Sequence, residues 1–133
     1  MTSTTVSIHV NCAAQVAYDF VSDPRNLPTW AGAFCKSVKM SGDVWIVETP
    51  QGPMGFRFVA RNDLGVLDHF VKPTPDTEIY CPMRVVPHGT GCEILFTLLR
   101  SPEVNDEQFA ADVAMIQGDF AKLKTVLDRY RPS

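Results

Sequence analysis

The sequence contains no block of lysine or arginine, and its formal net charge is −3. A nucleic acid or an anionic membrane surface would need such an electrostatic footprint, so neither is an expected partner. No apolar run approaches the ~18 residues of a membrane-crossing helix. The opening MTSTTVSIHV has neither the charged start nor the long apolar stretch of a secretory signal. A reducing, cytoplasmic location is therefore expected. The four cysteines, Cys12, Cys35, Cys81 and Cys92, include no CxxC pair. That spacing offers no zinc or dithiol motif, and buried free thiols are expected. GxSxG, HExxH and a glycine-rich phosphate loop are all missing, so no nucleophile motif, metal or cofactor is indicated. Repeats, low-complexity segments and linkers are absent as well, which leaves one domain over residues 1–133.

What is present fits a folded domain with its own core. Apolar residues make up 45% of the 133 and charged residues 20%. A chain of this length buries somewhat under ~70% of its unfolded surface.

Residues 5–10, TVSIHV, alternate between apolar and polar and predict a strand. Asn11 is placed to cap a helix in which Ala13, Val16, Ala17, Phe20 and Val21 recur at helical spacing. Pro24 ends that helix and opens a second, short one capped by Asp23. The segment SDPRNLPTW then sets Trp30 at the end of a polar, proline-bracketed run. Such runs lie at the surface, whereas a tryptophan seeks burial, so two preferences conflict at this point of the chain.

From Phe34 to Leu99 short apolar runs alternate with turn signals: SGD, PQGPMG, NDLG, KPTPD and PHGTG. Five turns between six runs predict a strand meander, which with the first strand makes seven strands. Asn105 caps a last helix over 105–130, with Gln108 at the far side of a capping box. Its stripe of Phe109, Val113, Ile116, Phe120, Leu123, Leu127 and Tyr130 is unbroken, while Asp112 and Asp119 are assigned to other faces. One apolar sheet face and one apolar helix stripe bury each other most simply when the sheet curves around the helix.

Charged positions mark the outer face of each strand, because side chains alternate. Glu48, Arg57, Arg61, Asp68, Glu78, Arg84 and Glu93 therefore leave Trp45, Val47, Phe56, Phe58, Ala60, Leu67, His69, Val71, Ile79, Cys81, Met83, Ile94 and Phe96 inward. Bulky aromatics on a curved sheet can fill the core or leave an apolar cavity beside it. His69 is almost the only ionisable group on that face, with Lys36 at the edge of the set. It suits a core histidine bonded to a backbone carbonyl, or a group that orients a ligand or moves a proton. The candidate ligand-binding residues are Trp30, Trp45, Phe56, Phe58, His69, Met83, Phe96 and Met115. His69 is also the one catalytic candidate. Gly118 in the last helix either admits close packing or leaves room for a ligand. Val44, Ile46, Phe70, Tyr80, Leu95 and Leu99 are apolar yet outward, and a patch of that kind suggests a homodimer.

In this order of elements the chain resembles the START-like superfamily with the helix-grip fold, in its polyketide cyclase/dehydrase-like branch. The resemblance rests on VSIHVNCAAQVAYDFVSDPRNLPTW, LDHFV at 67–71, PMRVVPHGTGCEILFTLLR at 82–100 and NDEQFAADVAMIQGDFAKLKTVL. It implies an α+β fold, a seven-stranded antiparallel sheet around a long C-terminal helix, and two short helices near the mouth of a deep cavity. It also implies a hydrophobic or aromatic small molecule as guest, held by a carrier or sensor. A cofactor-free cyclase or dehydratase and a protein-interaction domain remain the alternatives, because the fold does not set the activity.

Overall fold

The computed structural model describes residues 2–130; Met1 and residues 131–133, the two ends of the expected domain, lie outside the described residues. Strand β1 (Ser3–Val10) is followed by helix α1 (Ala14–Val21), a 3-10 turn (Pro24–Asn26) and the short helix α2 (Leu27–Trp30). Strands β2 (Ser37–Ser41), β3 (Val44–Thr49), β4 (Gly52–Phe58), β5 (His69–Thr74), β6 (Thr77–Cys81), β7 (Met83–His88) and β8 (Gly91–Leu99) come next. Helix α3 (Asp106–Arg129) closes the chain. The strands form two antiparallel sheets, β1-β8-β7 and β2-β3-β4-β5-β6.

The described residues form eight strands where seven were expected. The run 77–86 is divided at Pro82, and its halves join different sheets. Proline has no N–H to give to a ladder, so it marks a natural break. The carbonyl of Pro82 still accepts from Thr97 N–H at 3.0 Å. The loop between β4 and β5 is fixed to β7 at Gly65, whose φ is +72° and where a Cβ would lie 2.2 Å from the Val85 carbonyl oxygen. Only glycine tolerates both conditions.

Two caps are formed as the sequence predicts. The Asp23 carboxylate accepts from Arg25 N–H at 3.0 Å, and Asn105 Oδ1 accepts from Gln108 N–H at 2.8 Å. The reciprocal half of the capping box does not form, because Gln108 Nε2 donates to Asp112 Oδ1 instead. Asn11 is not the cap of α1: that position is Ala13, with no side-chain bond, and the Asn11 N–H donates to Asp128 Oδ1 at 2.9 Å. The helix begins too late for Asn11 to cap it, at Ala14 rather than directly after Asn11.

The C-terminal half of α3 packs solidly, with Phe120, Leu123 and Leu127 fully buried. Val113 and Ile116, in its N-terminal half, are only half-buried. Gly118 faces open space, with nothing within 4 Å of a Cβ built there, so close packing does not account for it. Ala60 lies past the end of β4 and is exposed, and Ile79 on the edge strand β6 is 51% exposed despite its inward parity. The six outward apolar residues do not share one sheet: Val44, Ile46, Phe70 and Tyr80 lie on the five-stranded sheet, Leu95 and Leu99 on β8. The four cysteines are free thiols, and no described helix is long and apolar enough to cross a membrane.

Candidate functional site

Under the looser half of α3 the two sheets together enclose a cavity of about 240 Å³. Strand β4 contributes Phe56 and Phe58, β5 His69, β7 Met83 and β8 Phe96; α3 contributes Met115 and α2 Trp30. Seven predicted candidates thus surround one space. Trp45 does not reach it. It is paired with Met40 on one side and Phe56 on the other. Phe56 therefore occupies the strand nearer the cavity, and Trp45 packs against the core one strand further out.

His69 is buried, and its ring is surrounded by aromatics. Phe56 stacks on it at 5.1 Å between centroids, with Phe58 at 5.4 Å and Phe96 at 5.7 Å. Its Nδ1 donates to the Leu67 carbonyl oxygen at 3.0 Å. A carbonyl can only accept, so that contact fixes the proton on Nδ1 and leaves Nε2 as a lone-pair acceptor. Burial lowers the pKa to about 4, against the opposing pull of the Leu67 carbonyl and the neighbouring Asp68 charge. At neutral pH the ring is uncharged. The core-histidine bond and the cavity-facing position both hold for this residue.

Trp30 resolves the oddity of SDPRNLPTW. Asp23 and Asn26 tie the polar run down, the latter through Nδ2 to the Phe20 carbonyl at 2.8 Å. The short helix then turns Leu27 and Trp30 inward, and Trp30 meets Phe120 edge to face at 6.1 Å. Its indole Nε1 is buried without a hydrogen-bond partner among the described residues. An unpaired buried donor costs about 1–3 kcal/mol.

Several wall residues escape a reading by strand parity: Phe34, Met54, Asp112 and Asp119. The two aspartates were assigned to other faces of the helix. They stand three residues before and four after Met115, a spacing that puts all three on one helical face. Burial raises the Asp119 pKa, while N–H groups of Ala33 and Phe34 oppose the rise; the Ala33 bond is 3.2 Å long. The Cys81 thiol, also in the wall, is pushed up to about 12 by burial and is not a nucleophile at neutral pH.

No protein-family model matches the sequence, and no curated protein matches it either. Solved structures do. The protein XoxI from Bacillus cereus is 18% identical over 96% of both chains, with a TM-score of 0.75. A START superfamily protein from Mycobacterium smegmatis is 14% identical, covers 97% of this chain and 99% of its own, and has a TM-score of 0.70. The Aha1 dimer from Colwellia psychrerythraea is 13% identical, covers 99% and 100%, and scores 0.73. At such identities the likeness is one of fold, and with the cavity and the gripped helix it makes this chain a START-like helix-grip fold.

Proposed function

We propose that this chain, as one START-like domain over residues 1–133, binds a hydrophobic or aromatic small molecule as a carrier or sensor. The carrying observation is the cavity, whose wall is almost wholly aromatic, aliphatic and sulfur-bearing. Its volume of about 240 Å³ falls just below the ~300–1,000 Å³ usual for ligand pockets, which favours a compact guest. Neutral His69 accepts a hydrogen bond at Nε2, so a guest hydroxyl is the matching group. The fold of the START superfamily protein from Mycobacterium smegmatis supports the reading. Free thiols, three of them buried, agree with a reducing compartment such as the cytoplasm.

Native mass spectrometry of the protein purified from its own host tests this most directly, because it reports the mass of a retained guest. In vitro, an apolar fluorescent probe should quench tryptophan emission through Trp30. A probe that leaves the emission unchanged and is not displaced by any aromatic competitor overturns the proposal.

Asp119 favours a second function, a cofactor-free cyclase or dehydratase. Burial raises its pKa, and it lines the same cavity as His69. An acid and a base on one apolar wall are the minimum for proton transfer to a held substrate. Loss of turnover in Asp119→Asn, with guest affinity retained, would distinguish the enzyme from the carrier. The expected homodimer stays with the proposal as its assembly state. Tyr80 and Val44 are exposed on the five-stranded sheet, and light scattering at high micromolar concentration decides it.

A further inference from the structure

The outer face of the three-stranded sheet carries a group of side chains that the cavity does not use. His9 on β1 is paired with Glu93 on β8, Glu93 with Val86 on β7, and His88 ends β7 two residues later. Alternation turns His9, Glu93 and His88 away from the core. Glu93 Oε2 accepts from Nδ1 of His9 and lies 3.0 Å from Nδ1 of His88. The two imidazoles stand edge to face, 5.4 Å between centroids. One ligand atom from each residue lies within 4.8 Å of the other two.

The sheet holds this arrangement in place. A Cβ on Gly91 would stand 3.1 Å from Nε2 of His9 and 2.3 Å from the Val10 carbonyl oxygen. Glycine therefore opens the space that the His9 ring occupies. The backbone of His9 is fixed from the other side, where Lys124 Nζ donates to its carbonyl at 2.7 Å. All three side chains are partly open to solvent, so an ion can reach them.

Two imidazoles and a carboxylate are a ligand set for zinc and its neighbours among the divalent transition metals. A tetrahedral ion with bonds of about 2.0–2.2 Å holds its donors about 3.3–3.6 Å apart. To admit one, the Glu93 and His88 donors need to separate by a few tenths of an ångström and the closer His9 and Glu93 donors by about an ångström. Each imidazole would exchange its Nδ1–H···O bond for a coordinate bond and release that proton if it carries one. The fourth position is left to water.

We propose that His9, Glu93 and His88 form a binding site for a zinc-class divalent cation, which clips β1 to β7 across β8. Isothermal titration of the full chain with Zn²⁺ in a non-coordinating buffer should show one ion per chain. Either His9→Ala or His88→Ala should weaken binding by about tenfold or more. In imidazole nitrogen NMR of the unaltered chain, the His9 and His88 signals should move on adding Zn²⁺ while His69 stays in place. That spectrum decides the matter even if a variant misfolds. No binding at about 100 μM Zn²⁺, binding that both variants retain in full, or a spectrum in which the His9 and His88 signals stay still would overturn the site.

Discussion

The carboxylate of Asp68 accepts the backbone N–H of Met83 at 2.9 Å, at the point where the chain leaves one sheet for the other. The same carboxylate accepts from the Tyr80 hydroxyl at 2.7 Å, and Arg84 Nε stands 3.7 Å away. One side chain thus holds both sides of the Pro82 break and, with it, the cavity-facing Met83.

Asp68→Ala should destabilise the protein by about 1–3 kcal/mol at neutral pH, since a buried N–H loses its acceptor. Burial raises the Asp68 pKa, but Tyr80, Met83 and Arg84 outweigh that and hold it below the usual carboxylate range. A carboxyl with a depressed folded pKa contributes fully above its unfolded value near ~3.9. The contribution is lost as pH falls through the folded value. Urea denaturation at a series of pH values should show the variant's penalty shrinking only below about pH 4. A penalty under about 0.5 kcal/mol at pH 7 would mean that Asp68 does not hold the junction.

His69 gives a second, higher window. Its unfolded pKa of 6.5 falls to about 4 in the fold. The folded state therefore binds the proton less readily, and stability is full above about 6.5 and lost as pH falls toward about 4. At 1.36 kcal/mol per pH unit the loss is about 3 kcal/mol. His69→Phe should remove this slope. The same variant should cost a carrier roughly 0.5–1.5 kcal/mol of guest affinity, whereas an enzyme using the ring would lose roughly 10²–10⁴-fold in rate.

Phe120 is 1% exposed and meets both Trp30 and Phe96 edge to face. Phe120→Ala should cost about 3–5 kcal/mol in chemical denaturation. A loss of about 1 kcal/mol or less would contradict its place at the centre of the grip.

Gly118→Ala should act in the opposite direction. The position is helical and exposed, and nothing lies within 4 Å of the added methyl. Alanine there should raise stability by about 0.5–1 kcal/mol without changing probe binding. A destabilised variant would show that the open space at Gly118 is filled in solution.

Local patterns carried much of this fold into the sequence. Alternation around Arg57, Asp68 and Glu93 assigns Phe56, Phe58, His69 and Phe96 to one face, because a strand can show only two faces and charge is costly on the inner one. The caps at Asp23 and Asn105 and the stripe through Phe120 are equally local, since each depends on residues within a few positions. Tertiary structure alone decided the rest. The residues 77–86 form two strands because Pro82 has no N–H for a ladder and Asp68, distant in sequence, takes the N–H of Met83. Trp45 has the inward parity of a wall residue, yet strand order sets Phe56 between it and the cavity. Asp112 and Asp119 read as solvent charges until the looser half of α3 lies over the sheet. In each case the outcome depends on which strand lies beside which, and that is set by pairing between distant segments rather than by any spacing along the chain.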